Sequence, residues 1–196
     1  FKPTPVETNY DPMAEKSFDV SRNQVSRFVN IQQGCNNFCT FCVVPFTRGK
    51  ERSHTPEMIL TKARELLAQG TREITLLGQN VNSYGLDLVQ SGDLKATPGG
   101  PFVDLVDAAA SLPGLKSLRF TSSNPHDLRP ELAELFRKHQ TMGRYYHLPV
   151  QSGSDSMLQR MRRKVTREEY LERISWLRQA VPDMAISTDL IVGFPG

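Results

Sequence analysis

Short apolar stretches alternate with helix-like stretches along residues 27–196, and this alternation limits the possible folds more than any other feature of the chain. Five stretches read as strands: Arg27–Gln32, Glu73–Asn80, Lys116–Ser123, Arg144–Ser154 and Met184–Phe194. The helices predicted between them start at capping residues or prolines, namely Thr55, Pro101, Pro130 and Thr166. Strands that are separated by helices form parallel sheets with right-handed crossovers. The sequence therefore predicts an α/β fold with about five parallel strands and helices outside.

Polar or glycine-containing segments follow each predicted strand. Gly78, Gln79 and Asn80 follow the second strand, Ser122 the third, and Gln151 the fourth. Ligands of parallel α/β folds bind at the carboxyl ends of the strands. We therefore expect these segments to line one cavity, together with the loop that follows the first strand.

All three cysteines of the chain, Cys35, Cys39 and Cys42, lie in that first loop with the spacing C-x3-C-x2-C. An odd number of cysteines without a secretory signal argues against a disulfide framework. Structural zinc sites and iron–sulfur clusters normally take four protein ligands, and none of the four histidines is paired with another at ligand spacing. Three thiolates on a [4Fe–4S] cluster leave one iron open to a substrate or cofactor. A structural role and a functional role are both compatible with the spacing alone.

The composition indicates one soluble globular domain, with 38% hydrophobic and 23% charged residues. No apolar run approaches the length of a membrane span. The net charge of +3 permits nucleic-acid contact without requiring it, and only 8% of residues are aromatic. The chain starts without methionine and stops within an apolar run, so we expect a piece of a longer protein.

The segment GCNNFCTFC resembles the signature of the radical S-adenosylmethionine (SAM) superfamily. Together with LLGQNVNSYG, TSSNPHDL and HLPVQSGSDSMLQRMRR, it resembles the MiaB-type tRNA methylthiotransferases over residues 28–196. The resemblance implies a partial (βα)n barrel that lacks the sixth strand. It also implies that Cys35, Cys39 and Cys42 ligate a [4Fe–4S] cluster whose open iron binds SAM, and that a 5'-deoxyadenosyl radical follows from cleavage of SAM.

The resemblance further implies a set of residues that bind SAM. Asp189 interrupts an apolar strand and is expected to be buried and hydrogen-bonded, whereas His147 is expected to be a satisfied strand-end histidine. The predicted cofactor-binding residues are Phe41, Gly78, Gln79, Asn80, Ser122, Gln151 and Asp189.

For the parent protein, the resemblance implies addition of a methylthio group to C2 of N6-isopentenyladenosine beside the tRNA anticodon. Residues 1–26 would be a linker from an absent N-terminal domain that carries a second [4Fe–4S] cluster, and residues 27–196 the core domain. A tRNA substrate, a reductant protein, a cytoplasmic location, a monomeric state and no membrane association are expected. Two alternatives remain open: a non-catalytic module stapled by an iron–sulfur cluster or zinc, and an RNA-binding scaffold.

Overall fold

The computed structural model describes residues 24–195, and these form alternating strands and helices. In chain order the strands are β1 (Ser26–Asn30), β2 (Gln32–Gln33), β3 (Arg52–Ser53), β4 (Glu73–Leu77), β5 (Ser117–Phe120), β6 (Tyr145–His147) and β7 (Ala185–Ser187). The helices are α1 (Val44–Thr47), α2 (Pro56–Ala68), α3 (Leu86–Ser91), α4 (Pro101–Ala110), α5 (Pro130–Lys138), α6 (Asp155–Arg160) and α7 (Arg167–Ala180). Short 3-10 turns span Val81–Ser83 and Pro125–Asp127.

The five predicted strands are confirmed as β1, β4, β5, β6 and β7, and all of their pairings are parallel. They form two sheets, one with the order β1-β4-β5 and one with β6 beside β7. An isolated parallel bridge from Leu118 to Met142 lies between the two sheets. Across this junction, the rings of Phe120 and Tyr146 pack edge to face with centroids 5.5 Å apart. The α/β class with helices outside is therefore confirmed as a partial, interrupted barrel wall.

The predicted helix starts agree with the structure because their capping chemistry is local. Thr55 and Thr166 both accept hydrogen bonds from the first turn of their helices, and Thr166 forms a complete capping box with Glu169. Side chains such as Ile59, Leu105 and Leu132 point into a core shared with the sheets and are almost fully buried. Burial of this apolar surface is the main force that holds the helices on one side of the strands.

The opposite side of the sheets carries no helix among residues 24–195, and we call it the inner face. Phe28, Thr75 and Arg119 lie side by side on it, in register across β1, β4 and β5. Phe28 and Tyr145 are exposed there, at 62% and 52%. Alternate residues such as Val29, Leu76 and Tyr146 point instead to the helices and are buried.

Several short elements were absent from the sequence-based prediction. The first predicted strand divides into β1 and β2, because β2 turns to pair antiparallel with β3. A further short helix, α3, follows Tyr84 and lies between Gly85 and Gly92, both of which have positive φ. The predicted linker lies outside the described residues except for residues 24–26, and β1 already includes Ser26. No helix within the described part is long and apolar enough to cross a membrane.

Candidate functional site

The cysteines lie in a loop that is closed at its base by the β2–β3 pair. The backbone N–H of Cys35 donates to Gly49 O at 3.2 Å, which joins the two ends of the loop. Gly34 has φ +80°, and a Cβ at this position would lie 2.1 Å from Lys50 O. Only glycine fits at this close backbone approach. We call residues 34–51 the cysteine loop.

Cys35 is buried at 8% exposure, whereas Cys39 and Cys42 are half-buried. Burial raises the pKa of the Cys35 thiol; hydrogen bonding to Asn37 opposes this effect and the Glu51 carboxylate adds to it. Within residues 24–195, no three His, Cys, Asp or Glu side chains converge closely enough to hold a single metal ion. The donor set nonetheless fits an iron–sulfur cluster, because three thiols on one loop are the ligand type that such clusters take.

Arg163 connects the cysteine loop to the second sheet. Its Nη1 lies 3.8 Å from Cys39 Sγ, and its Nη2 donates to Pro149 O at 2.6 Å. The backbone N–H of Thr40 also donates to Met161 O at 3.1 Å. The turn after α6 therefore holds the loop and presents a guanidinium group to one cysteine sulfur. Sequence patterns do not indicate this role of Arg163, because its contacts are made with residues distant in sequence.

The segment Gly78–Asn80 lies against the base of the cysteine loop. Gln79 Oε1 accepts a hydrogen bond from Gly34 N–H at 2.7 Å. A Cβ on Gly78 would lie 2.8 Å from Gln32 Cγ, so glycine is required here for packing against β2. The structure thus brings two of the predicted segments together through direct contacts.

Asn80 belongs to a buried polar network that extends under the loop. Its side chain is 2% exposed, and its Nδ2 donates to Asp127 Oδ2 at 2.7 Å. Its carbonyl oxygen accepts from Ser83 Oγ at 2.9 Å, and the same hydroxyl lies 2.8 Å from Glu51 Oε2. Glu51 is 8% exposed, and burial raises its pKa to about 7. Asn80 therefore supports the loops from beneath, and its side chain does not reach an open surface.

Glu51 is a site residue that the sequence analysis missed. It lies between Lys50 and Arg52, which are exposed together with Arg48. The run is basic in sequence, and its three basic side chains all face solvent. An irregular segment has no periodicity, so the sequence offers no signal that the intervening carboxylate is buried.

Among residues 24–195, four non-glycine residues adopt left-handed backbone conformations, and all four lie at this edge of the fold. They are Phe38 (φ 49°), Ser122 (φ 64°), Gln151 (φ 75°) and Arg162 (φ 53°). Such conformations cost about 1–3 kcal/mol each and concentrate at functional sites. Two of the predicted cofactor-binding residues, Ser122 and Gln151, are among them. Ser122 O accepts from Val81 N–H at 3.2 Å, which joins the ends of β4 and β5.

The expectation that Asp189 is buried is wrong. Its side chain is 61% exposed, and one carboxylate oxygen lies 3.3 Å from His147 Nε2. The neighbouring Leu190 and Val192 are also exposed, at 64% and 91%, so the apolar run does not lie in the core. His147 is satisfied, as expected, since its Nδ1 lies 2.8 Å from Ser187 Oγ.

The remaining predicted residues lie around the same edge. The backbone N–H of Gln151 donates to Asp189 O at 2.9 Å, which pairs the ends of β6 and β7. Phe41 is 38% exposed on the cysteine loop. The structure thus places Phe41, Gly78–Asn80, Ser122, Gln151 and Asp189 at the carboxyl ends of the five parallel strands.

Comparison with known proteins assigns the chain to a family. The family model described as "Radical SAM superfamily" matches residues 29–196. The chain is 52% identical to the tRNA-2-methylthio-N(6)-dimethylallyladenosine synthase of Desulfosudis oleivorans, over 88% of this chain and 35% of that protein. It is 45% identical to the protein of the same name from Lawsonia intracellularis, over 96% of this chain and 42% of that protein. The chain thus spans between 35% and 42% of the length of these relatives.

Solved structures of low sequence identity share the fold. The cobalamin-dependent S-adenosylmethionine radical enzyme OxsB superposes with a TM-score of 0.61 at 14% identity, covering 84% of this chain and 23% of OxsB. Methylornithine synthase (PylB) superposes with a TM-score of 0.55 at 14% identity, covering 86% of this chain and 44% of PylB. These likenesses establish the architecture of the chain.

Proposed function

We propose that this chain, which belongs to the radical SAM superfamily, is the catalytic core of a tRNA methylthiotransferase. The reaction is the addition of a methylthio group to C2 of N6-isopentenyladenosine beside the tRNA anticodon. One observation carries this proposal: the three-cysteine loop lies at the carboxyl ends of the strands, in a chain 45–52% identical to synthases named for that product.

Cys35, Cys39 and Cys42 would hold a [4Fe–4S] cluster with one open iron. When bound, this cluster supplies the electron that cleaves SAM to a 5'-deoxyadenosyl radical, the species able to abstract hydrogen from an unreactive C–H bond. The protein's own contribution is to hold the ligands and their surroundings. Gly34 permits the tight return of the loop, and Arg163 places positive charge beside Cys39.

SAM would bind across the strand ends, beside the cysteine loop. Support for this comes from the hydrogen bonds that bring the loops together and from the left-handed backbones at Ser122 and Gln151. Asn80 would contribute through its backbone and through the network beneath it, because its side chain is buried. The proposed SAM contacts are Phe41, Gly78, Gln79, Asn80, Ser122, Gln151 and Asp189.

The other properties belong to the whole protein, of which this chain matches about a third in the relatives. We propose a tRNA substrate, a reductant protein as electron donor, and a second [4Fe–4S] cluster outside residues 27–196. A cytoplasmic, monomeric protein without membrane association fits a tRNA substrate and reduced thiols.

The test is anaerobic reconstitution with iron and sulfide, followed by spectroscopy with and without SAM. We expect one cluster per chain, a spectral change on SAM addition, and loss of the cluster when any one of the three cysteines is replaced by alanine. Stoichiometric zinc binding in place of iron would contradict the proposal. Mass spectrometry of nucleosides from isopentenylated tRNA, incubated with the full-length protein, then tests the reaction itself.

A further inference from the structure

Three polar side chains form a hydrogen-bonded chain along the inner face of the second sheet, and a carboxylate lies beside one end of it. Tyr145 and His147 project from β6, Ser187 from β7, and Asp189 follows two residues later. Tyr145 Oη lies 2.7 Å from Ser187 Oγ, which lies 2.8 Å from His147 Nδ1. His147 Nε2 lies 3.3 Å from Asp189 Oδ2. The cluster ligands and SAM contacts proposed above do not include Tyr145, His147 or Ser187.

Ser187 is the central member of this chain. Its hydroxyl can donate one hydrogen bond and accept another, so it joins the Tyr145 phenol to the His147 imidazole. Tyr145 is 52% exposed, and its hydroxyl is held in place by Ser187. The chain therefore fixes the orientation of an exposed hydroxyl group.

A cavity of about 490 Å³ opens on the inner face beside one end of this chain. It is lined by Tyr145 and by Phe28 and Arg119, which lie in register on the first sheet. Beyond His147, at the edge where we place SAM, the backbone oxygen of Asp189 accepts a hydrogen bond from the Gln151 N–H. An exposed phenyl ring offers a stacking surface for a base, and a guanidinium group attracts phosphate.

We propose that His147 and Ser187 are positioning residues that orient the hydroxyl group of Tyr145 to hydrogen-bond with the target nucleoside of an RNA substrate. The amino N–H and ribose hydroxyls of a nucleoside are groups that such a fixed hydroxyl can bind. This inference rests on the proposed function, since it takes RNA as the substrate. SAM carries the same nucleoside chemistry, so the experiment has one arm for each ligand.

The test uses the full-length protein with its clusters reconstituted anaerobically. The RNA probe is an anticodon stem–loop that carries N6-isopentenyladenosine, and the KM values for RNA and for SAM are measured separately from the methylthiolated product. Ser187→Ala breaks the centre of the chain, and Ser187→Thr keeps the hydroxyl. Tyr145→Phe removes the exposed hydroxyl group and leaves the strand pairing intact. Tyr170→Phe is the matched control, because it removes a hydroxyl bonded to Leu148 O from the helix side of the same segment.

We expect Ser187→Ala and Tyr145→Phe to raise the KM for RNA by about tenfold, the effect of about one lost hydrogen bond. The KM for SAM should change by less than about twofold in the same variants. Ser187→Thr should restore RNA binding, and Tyr170→Phe should leave both constants unchanged. An unchanged KM for RNA in both Ser187→Ala and Tyr145→Phe, or a rise confined to the KM for SAM, would overturn the inference alone. A wild-type protein that forms no methylthiolated product would overturn the proposed function as well, before any variant is made.

Discussion

Replacement of Glu51 by glutamine tests whether the carboxyl group at the end of the cysteine loop is buried as the structure shows. The side chain is 8% exposed, and one of its oxygens lies 2.8 Å from Ser83 Oγ. Burial raises its pKa from 4.5 to about 7, and the nearby Asp87 and Asp127 carboxylates add to the effect. Each tenfold change in proton affinity is worth about 1.4 kcal/mol, so the ionised carboxylate costs the folded state about 3 kcal/mol. Glutamine keeps an acceptor for Ser83 and removes the charge.

The raised pKa fixes the direction of the pH dependence. Between pH 4.5 and about 7, folded Glu51 keeps a proton that the unfolded chain releases. The free energy of unfolding should therefore fall as the pH rises through this interval, and this group should add no further change above it. For Glu51→Gln the fall should disappear. The variant should exceed the wild type by about 3 kcal/mol at pH 8 and by less than about 1 kcal/mol at pH 5.

Urea denaturation from pH 5 to pH 8, followed by the fluorescence of Trp176, the only tryptophan of the chain, measures this difference. Both proteins must be compared in the same state of iron loading. Glu57→Gln is the control, because that carboxylate is exposed on the first turn of α2. The reasoning is refuted if the wild-type and Glu51→Gln stability curves remain parallel across the whole pH range, since the carboxylate would then be solvated or paired with a cation.

Two further predictions concern the cysteine loop. Gly34→Ala places a Cβ 2.1 Å from Lys50 O and should abolish iron uptake during reconstitution. Gly49→Ala is the control, because Gly49 has a similar φ of +76° but a Cβ there would meet no atom within 4 Å. This variant should still take up iron. The left-handed backbone lowers the stability of both variants by a similar amount, about 1–3 kcal/mol. Equal iron contents in the two variants would therefore refute the clash. Arg163→Met should raise the rate at which a chelator removes iron by about tenfold, since groups that contact metal ligands tune affinity by such factors. Arg160→Met, an exposed neighbour, should leave the rate unchanged.

The five parallel strands and the main helices could be predicted because their signals are local. Thr166 and Glu169 form the expected capping box, and proline stands at the first position of α4 and α5. The division into two sheets could not be predicted in this way. Whether β5 pairs with β6 depends on the packing of side chains distant in sequence, such as Phe120 and Tyr146. Strand order is a tertiary property that apolar patterns do not encode.

The candidate site could be predicted at the level of segments, and less well at the level of side chains. Asp189 was expected to be buried because its neighbours are apolar, yet Leu190 and Val192 are themselves exposed. A run of apolar residues indicates burial only where another layer covers it. The reverse error occurred at Glu51, where flanking basic residues concealed a buried carboxyl group. In irregular segments, burial depends on where the backbone turns, and that is determined by distant contacts such as Gln79 with Gly34.

The contacts at the carboxyl edge of the strands have a structural consequence for the interrupted barrel wall. Away from this edge, the two sheets share a bridge at Leu118 and Met142. At the edge, the cysteine loop reaches the second sheet through Arg163, which contacts Cys39 Sγ and Pro149 O together. Because the other end of the loop is tied to β2 and β3, the loop that carries the cysteines also joins the two sheets. The loop therefore bridges the two sheets at the carboxyl edge, as the Leu118–Met142 bridge does away from it.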